Sequence, residues 1–311
     1  SAFPTELNGL FKNLEKNSNP WGMAPRLRMD WAKNLPFEVK QVGADVEDLS
    51  EVEYLFWVGC AGAFEDRAKK TTQAVAELLH IAGVDFAVLG DGESCNGDPA
   101  RRAGNEFLFQ MLAMANVEMF NEIQVRKMVV SCAHCFNTFA REYPQLGAKF
   151  EVVHHTQLLN RLVREKKLVP VAAPEGGQTP ITYHDPCYLG RHNQVYAPPR
   201  DLLKAVPGLE LAEMPRNGMT SFCCGAGGAR MWMEEQLGSR INANRTEEAL
   251  ATGAKQIAIA CPFCRVMLAD GVTAAQAEGK AEDDPHGEEV REDTEKAMRD
   301  QFLLDELAEK F

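Results

Sequence analysis

This chain of 311 residues lacks the sequence features that are typical of membrane-spanning, secreted, nucleic-acid-binding and phosphate-binding proteins. It has no apolar run of about 18 residues or more, so no membrane span is predicted, and no secretory signal peptide is recognisable. The net charge is −12, which disfavours nucleic-acid binding because phosphates would be repelled. The glycine-rich stretch at 225–228 lacks the Lys-Ser/Thr of a phosphate loop, and no G-x-S-x-G nucleophile elbow occurs.

A disulfide framework is also disfavoured. Nine cysteines are an odd number, and their grouping in C-x2-C pairs predicts metal ligation in a reducing compartment, hence the cytoplasm. The length and a hydrophobic content of 45% suffice for one large domain or two of ordinary size. Because the chain begins with Ser1 rather than Met, we expect it to be a fragment of a longer protein or a trimmed form.

Five of the cysteines form a spaced pattern around the stretch Phe222-Cys223-Cys224-Gly225. Cys187 precedes this stretch by about 35 residues, and a C-x2-C pair, Cys261 and Cys264, follows it after about 36. If these thiols converge, they are too many for one zinc ion, which takes four ligands. They suit an iron–sulfur cluster, which needs several soft thiolates, and the following glycines allow close approach of the backbone.

Alternating strand and helix patterns predict an α/β fold. Apolar runs predict strands over 53–58, 84–89, 127–131, 150–153, 181–184, 209–214 and 256–260, and the intervening patterns predict helices over 66–82, from Asp98-Pro99 through Ala115, and over 229–250 with an interruption near Gly238. Such alternation favours parallel sheets, in which ligands bind beyond the carboxyl ends of strands. Cys60, Cys132, Cys187 and Cys261 each follow a predicted strand.

The two halves of this pattern match each other, which indicates an internal duplication. We therefore expect two Rossmann-like halves related by a pseudo-twofold axis, each with a metal site at the carboxyl ends of its strands. Cys60 aligns with Cys187, Cys95 with Cys223, and Cys132 and Cys135 with Cys261 and Cys264. The first half has only four thiols, because Asn96 aligns with Cys224.

The predicted organisation has five parts. Residues 1–50 are an irregular linker that either packs on the body through Trp21 and Trp31 or forms a solvated extension. The first repeat covers 51–164, a linker covers 165–180, and the second repeat covers 181–277. The last part, 278–311, is an acidic tail whose end carries apolar residues at helical spacing. This end is either a helix that docks on the protein or a frayed amphipathic tail.

The repeated C…CCG…C-x2-C pattern resembles the cysteine-rich CCG domain family, whose best-known member is a subunit of heterodisulfide reductase. The resemblance runs from about residue 15 to 275. It is most similar to the C-terminal part of the bacterial membrane-bound reductase that links electron-transfer flavoprotein to menaquinone. The stretches that carry this closer resemblance are Asn19-Pro20-Trp21-Gly22, Phe56-Trp57-Val58-Gly59-Cys60-Ala61-Gly62, Gly97-Asp98-Pro99-Ala100-Arg101-Arg102 and Cys223-Cys224-Gly225-Ala226-Gly227-Gly228-Ala229-Arg230-Met231-Trp232.

The resemblance implies a noncubane [4Fe–4S] cluster in the second repeat, held by Cys187, Cys223, Cys224, Cys261 and Cys264. The four first-repeat thiols, Cys60, Cys95, Cys132 and Cys135, leave three alternatives open: a second [4Fe–4S] cluster, a structural zinc, or no metal. His134 and His184 are candidates for hydrogen bonds to cluster sulfur. Imidazole ligation, or a hydrogen bond to nearby backbone, is the alternative for each.

Three hypotheses of function follow. The first is an iron–sulfur module of an oxidoreductase that passes electrons from a flavoprotein toward a quinone. A membrane or ferredoxin-like portion outside this chain would hold the module at the cytoplasmic face of a membrane. The second is the catalytic subunit of a cluster-based heterodisulfide reductase, against which Asn96 counts. The third is a zinc-stabilised interaction module without a redox role, against which the five thiols count.

Overall fold

The computed structural model describes residues 4–171, 179–234 and 238–279. They form two parallel sheets with helices packed against them, as the sequence predicts. The strands are β1 (Lys40–Gln41), β2 (Tyr54–Trp57), β3 (Phe86–Val88), β4 (Lys127–Val130), β5 (Glu151–His154), β6 (Thr179–His184), β7 (Leu209–Leu211) and β8 (Gln256–Ile259).

The order of the strands confirms the duplication. The first sheet has the order β1-β3-β2-β4-β5 and the second the order β7-β6-β8, with every pairing parallel. In both repeats the first strand therefore lies between the second and the third. All residues of β2 and β3 are buried, which explains why these strands read as continuous apolar runs.

Helices connect the strands and cover the sheets. They are α1 (Leu7–Asn17), α2 (Gly59–Phe64), α3 (Asp66–Ile81), α4 (Asp98–Arg102), α5 (Glu106–Glu122), α6 (Ala133–Asn137), α7 (His155–Arg164), α8 (Ala197–Ala205), α9 (Ile241–Leu250) and α10 (Pro262–Ala277). No helix in these described ranges is both long and apolar enough to cross a bilayer.

The N-terminal 50 residues are not the irregular linker that the sequence predicted. They contain α1, which buries Leu7, Leu10 and Leu14, and β1, which pairs with β3 at the edge of the first sheet. The prediction of packing through the two tryptophans is confirmed. Trp31 is buried against Phe56, whereas Trp21 packs on the second repeat.

Two helices are shorter in the structure than the sequence predicted. The helix opened by Asp98-Pro99 ends at Arg102, since Gly104 turns the chain with φ = +85°. The next helix, α5, starts separately, where the Asn105 side chain accepts a hydrogen bond from the Leu108 backbone amide. In the second repeat α9 begins only at Ile241, after a short 3-10 turn at Arg230–Trp232.

The predicted boundaries of the parts stay predictions. Helix α7 ends at Arg164 and β6 begins at Thr179, which is compatible with a linker at 165–180, but residues 172–178 lie outside the described residues. The same holds for all but the first two residues of the predicted acidic tail.

Candidate metal centre

The cysteines of both repeats lie at the carboxyl ends of the parallel strands. Cys60 follows β2 and Cys132 follows β4, and in the second repeat Cys187 follows β6 and Cys261 follows β8. Cys261 is also the N-cap residue of α10, whose first turn carries Cys264. Against the effect of burial, hydrogen bonds from Cys132 and Cys264 lower the pKa of Cys261 well below its usual range. The hydrogen bonds with Cys224 and Cys261, together with burial, raise the pKa of Cys264.

The structure brings the five second-repeat thiols together. Cys224 lies within hydrogen-bonding distance of Cys223 and of Cys264, and Cys264 also reaches Cys261. Cys187 lies near enough to Cys224 and Cys261 to interact electrostatically with both. The three separate stretches of sequence that carry these cysteines therefore meet at one place.

Burial and mutual contact shape the ionisation of this group. Cys224, Cys261 and Cys264 are almost fully buried, whereas Cys187 and Cys223 are half-buried. Hydrogen bonds from Cys223 and Cys264 lower the pKa of Cys224 well below its usual range. Burial and the neighbouring sulfurs raise the pKa of Cys187 to about 11. Bound metal would deprotonate all of them.

His184 faces this group from the end of β6. Its Nδ1 accepts a hydrogen bond of 3.0 Å from Arg245 Nε, so the imidazole proton is on Nε2. A ring nitrogen of His184 and the sulfurs of Cys224 and Cys264 lie within 4.8 Å of one another. Nε2 is buried and has no well-aligned hydrogen-bond partner in the described part of the chain, but His184 lies close enough to Cys224 to help lower the pKa of that thiol. A buried N–H group that already lies beside the Cys224 sulfur fits the predicted role of a donor to cluster sulfur.

Arg245 is a contributor to the site that sequence reasoning missed. Its side chain is fully buried, and besides His184 it binds the Arg216 carbonyl and Glu248, each at 2.9 Å. It thus holds the His184 ring in place through Nδ1 and places a positive charge near the thiols. It lies on α9 in a polar stretch, and nothing in that pattern distinguishes it from a surface arginine.

The four first-repeat thiols converge as well. Cys60 lies within hydrogen-bonding distance of Cys95, and Cys132 lies within that distance of Cys135. The two pairs interact electrostatically through Cys95 and Cys135. All four line one cavity of about 150 Å³.

A second buried arginine, Arg28, contacts a thiol of the first repeat. Arg28 Nη2 lies 3.3 Å from Cys60 Sγ, and Nη1 binds Glu93 Oε1 at 2.8 Å. Glu93 in turn accepts the backbone amides of Val58 and Gly59, at 3.0 and 2.9 Å. A hydrogen bond from Cys95, together with the Arg28 charge, lowers the pKa of Cys60 to about 6 against the effect of burial. The sequence placed Arg28 only in the supposed linker.

The two groups of thiols meet at equivalent residues. Cys132 of the first repeat lies within hydrogen-bonding distance of Cys261 of the second, and these two cysteines are partners in the duplication. Contact between a residue and its own counterpart is what a twofold relation produces, so the predicted pseudo-twofold arrangement accounts for this junction.

His134 lies at the junction rather than only beside its own C-x2-C pair. Its Nδ1 is 2.8 Å from Asp98 Oδ2, and its ring meets the edges of Tyr188 and Phe263 of the second repeat. Burial disfavours the charged imidazole, but the Asp98 carboxylate outweighs it and raises the pKa of His134 to about 9. The first repeat thus places a cationic side chain toward the thiols of the second.

Comparison with known proteins agrees with this arrangement. The model of the cysteine-rich CCG domain matches the chain twice, over residues 54–140 and 181–269. The chain belongs to the CCG cysteine-rich domain family. The two matched segments contain every cysteine described above, four in the first CCG repeat and five in the second.

Several longer proteins are similar to these two CCG repeats. The chain is 47% identical over 271 residues to the "Probable iron-sulfur-binding oxidoreductase FadF" of Bacillus subtilis, covering 86% of this chain and 37% of that protein. It is 45% identical over 282 residues to the "EtfAB:quinone oxidoreductase" of Syntrophomonas wolfei, covering 88% and 39%. It is 33% identical over 292 residues to a subunit of the dihydromethanophenazine:CoB--CoM heterodisulfide reductase of Methanosarcina barkeri, covering 91% and 65%. The chain thus spans about two fifths of the first two relatives.

Proposed function

We propose that this chain is the iron–sulfur electron-transfer module of an oxidoreductase. It would hold a [4Fe–4S] cluster of the noncubane type on Cys187, Cys223, Cys224, Cys261 and Cys264. The observation that carries the proposal is the meeting of these five thiols from three distant stretches of chain at the ends of β6 and β8.

The surroundings of the five thiols fit such a cluster better than a zinc ion. Five sulfurs exceed the four ligands of a structural zinc site, and thiolates are the usual ligands of iron–sulfur clusters. His184 Nε2 offers a buried N–H beside the Cys224 sulfur. Arg245 and His134 bring positive charge near the thiols, and each is held there by a carboxylate, Glu248 and Asp98 respectively. Gly225, at φ = +95°, turns its backbone amide onto Cys223 Sγ at 3.2 Å, a bond that would remain available to a ligating thiolate.

Such a cluster supplies one-electron reduction and oxidation without any bond being made or broken in the protein. The residues of this chain would hold it, exclude water from its buried side and set its potential through hydrogen bonds and nearby charge. Cys187 and Cys223 are the least buried of the five, so electrons would enter or leave on their side of the site.

The electron donor and acceptor are proposed from the relatives. One of them is named as an EtfAB:quinone oxidoreductase, and we infer that an electron-transfer flavoprotein donates to this module and that the electrons pass toward a quinone. Another relative, from Chromohalobacter salexigens and 38% identical, is named "Probable membrane-anchored ferredoxin". A ferredoxin-like or membrane portion would thus connect the module to the cytoplasmic face of a membrane.

The test compares the anaerobically purified protein with Cys224→Ser, and with Cys187→Ser in case the first variant does not fold. Each serine variant should contain about four fewer iron and sulfide ions per chain than the parent protein and should lose the corresponding EPR signal after reduction. The control is Ser221→Ala, a buried serine beside the motif, which should keep its iron.

The direction of electron flow is tested by mixing with reduced electron-transfer flavoprotein in a stopped-flow instrument. The cluster absorbance of the parent protein should bleach, and that of Cys224→Ser should not. Zinc without sulfide in the parent protein would contradict the proposal. Turnover of a heterodisulfide by this chain would instead favour the catalytic alternative.

A further inference from the structure

Helix α5 carries apolar side chains on its outer face as well as on the face that packs into the core. Its inner face buries Leu108, Phe109, Ala113, Val117 and Phe120. On its outer face Phe107, Met111 and Met114 are 78%, 54% and 59% exposed. These three residues lie at positions i, i+4 and i+7, so they form one continuous line along the helix, the α5 stripe.

The α5 stripe is unusual for a surface helix. A helix that is apolar on all sides is normally buried on all sides, and soluble proteins rarely expose contiguous apolar patches without a function. Of the seven large apolar side chains that are exposed among the described residues, three belong to this stripe. Two of the three are methionines, whose flexible side chains adapt to the surface of a partner.

The carboxyl end of the α5 stripe is negatively charged. Glu118 and Glu122 continue the line of Met114 at i+4 and i+8, and both are exposed. The last turn of α5 contains no basic residue, and neither glutamate forms an ion pair with a described basic side chain. Like charges at i and i+4, and negative charge at a helix carboxyl end, both destabilise the helix itself. A cation supplied from outside would relieve both effects.

The charge of this surface disfavours three occupants. Helix α5 contains no lysine or arginine, and the acidic residue at its other end, Glu106, is already paired with Arg101 at 3.2 Å. A second copy would therefore bring no basic residue of its own stripe to Glu118 and Glu122, and a membrane with anionic lipids would repel both glutamates. The segment 280–311 of this chain is rich in Asp and Glu, so it would be repelled as well.

We propose that the α5 stripe is the docking site for a basic amphipathic helix of another protein. The apolar residues of that helix would recur at i, i+4 and i+7 and cover Phe107, Met111 and Met114. Two or more lysines or arginines at its amino end would pair with Glu118 and Glu122. In this antiparallel arrangement the positive amino end of the docked helix also lies beside the negative carboxyl end of α5. The inference goes beyond the proposed function, because it uses no cysteine and does not depend on a cluster.

Helix α5 joins this outer surface to a thiol-bearing loop of the first repeat. Asn116 Nδ2 donates a hydrogen bond of 3.1 Å to the Cys95 carbonyl. Phe109 lies against Gly97, whose missing side chain leaves room for the aromatic ring. A partner on the outer face would thus lie one helix diameter, ~10 Å, from the Cys95 loop.

The first experiment measures binding of a synthetic helical peptide to the full chain by fluorescence anisotropy. The peptide has leucines at i, i+4 and i+7 and three lysines at its amino end. Met111→Ser and Met114→Ser should each weaken binding about tenfold, because each removes apolar contact area, and both positions are exposed, so the fold should be kept. Met219→Ser, at a residue that is 77% exposed in the second repeat, is the matched control and should leave the affinity unchanged.

A charge swap tests the acidic end of the stripe. Glu118→Lys combined with Glu122→Lys should abolish binding of the lysine peptide and should create binding of a second peptide in which glutamates replace the lysines. Asp201→Lys combined with Glu210→Lys changes the net charge equally at exposed positions of the second repeat and should retain the preference for the lysine peptide. Equal losses in the two double variants would show only non-specific attraction to an acidic protein and would overturn the proposal.

The disfavoured occupants give distinct outcomes. Sedimentation of the parent protein as a dimer that Met111→Ser dissociates would overturn the proposal in favour of a second copy. Co-sedimentation with vesicles of phosphatidylcholine and phosphatidylglycerol that is lost in Met111→Ser would overturn it in favour of a membrane surface. All of these variants should keep the iron content of the parent, so failure of this inference leaves the proposed function intact.

Discussion

Single residues differentiate two repeats that share one backbone plan. Asn96 and Cys224 occupy equivalent positions, yet one offers an amide and the other a thiolate. The contacts of the two buried arginines also differ between the repeats. Arg28 contacts a thiol directly, whereas Arg245 acts through His184. The repeats therefore present different donor sets to what they bind.

His155 gives the stability of the protein a dependence on pH. An unfolded histidine titrates near 6.5, and burial lowers the pKa of His155 in the folded protein to about 4. Below pH 6.5 the unfolded chain therefore takes up a proton that the folded chain does not. The free energy of unfolding should fall between about pH 6.5 and 4, with up to ~3 kcal/mol from this residue alone.

His155→Gln is the matched variant for this prediction, because glutamine keeps an N–H donor but does not titrate. Urea unfolding followed at pH 7.5, 6 and 5 should show a shallower loss of stability in the variant than in the parent. Equal slopes over this range would contradict the assignment. The pKa of the neighbouring His154 is lowered by burial and by the charge of His155, so the comparison measures the titration of His155 together with its coupling to His154.

At the scale of elements, the close approach of α9 and α10 supports the second-repeat site. Gly271 of α10 leaves no room for a side chain, since a Cβ there would lie 2.2 Å from Thr246 Oγ1 and 3.3 Å from the Asn242 carbonyl oxygen. Helix α10 carries Cys264 in its first turn, and α9 carries Arg245. Their packing therefore sets the distance between the thiols and the arginine that holds His184.

Gly271→Ala should lower the free energy of unfolding by about 1–3 kcal/mol through overpacking, although alanine alone favours a helix by ~1 kcal/mol. Adding Thr246→Ala removes the nearest clashing atom and should restore part of the loss. Gly9→Ala is the control, because this exposed position in α1 has open space around it. It should leave stability unchanged or slightly higher in denaturant titrations, and similar losses in both alanine variants would argue against the clash.

At the scale of the whole molecule, the N-terminal segment joins the two repeats. Trp21 stacks on Phe263 at 6.3 Å and meets the edge of Trp232 at 5.4 Å, whereas Trp31 is buried in the first repeat. Phe263 lies between Cys261 and Cys264 in the chain. The segment that precedes the first repeat thus closes over the C-x2-C pair of the second.

Trp21→Ala should therefore weaken the second site without touching a ligand. We expect a loss of about 2–3 kcal/mol in the free energy of unfolding, below the usual cost for a fully buried tryptophan because Trp21 is only partly buried. Iron should also pass to a chelator severalfold faster. Trp21→Phe keeps a stacking ring and should lie between the two, and a chelation rate equal to that of the parent in Trp21→Ala would show that the segment does not protect the site.

The amino-acid sequence by itself determined the repeat, the strands and the nearness of each set of cysteines to strand ends. These follow from local patterns: apolar runs such as β2, and cysteines placed directly after them. It also indicated the departure at Asn96, because the duplication supplies its own internal comparison. Where local signals were weak, as around Gly104 and in the first 50 residues, the predicted elements were wrong in extent or missing.

Only the tertiary structure decided which groups from distant parts of the chain meet. Three contacts show this: Cys132 meets Cys261, Arg28 reaches Cys60 across 32 residues, and Arg245 bonds to His184 across 61 residues. None of these contacts produces a periodic pattern in the sequence. Each depends on how the two sheets and the N-terminal segment pack, and buried charge pairs are chosen by that packing rather than by neighbours in the chain. The same packing turns His134 of one repeat toward the thiols of the other.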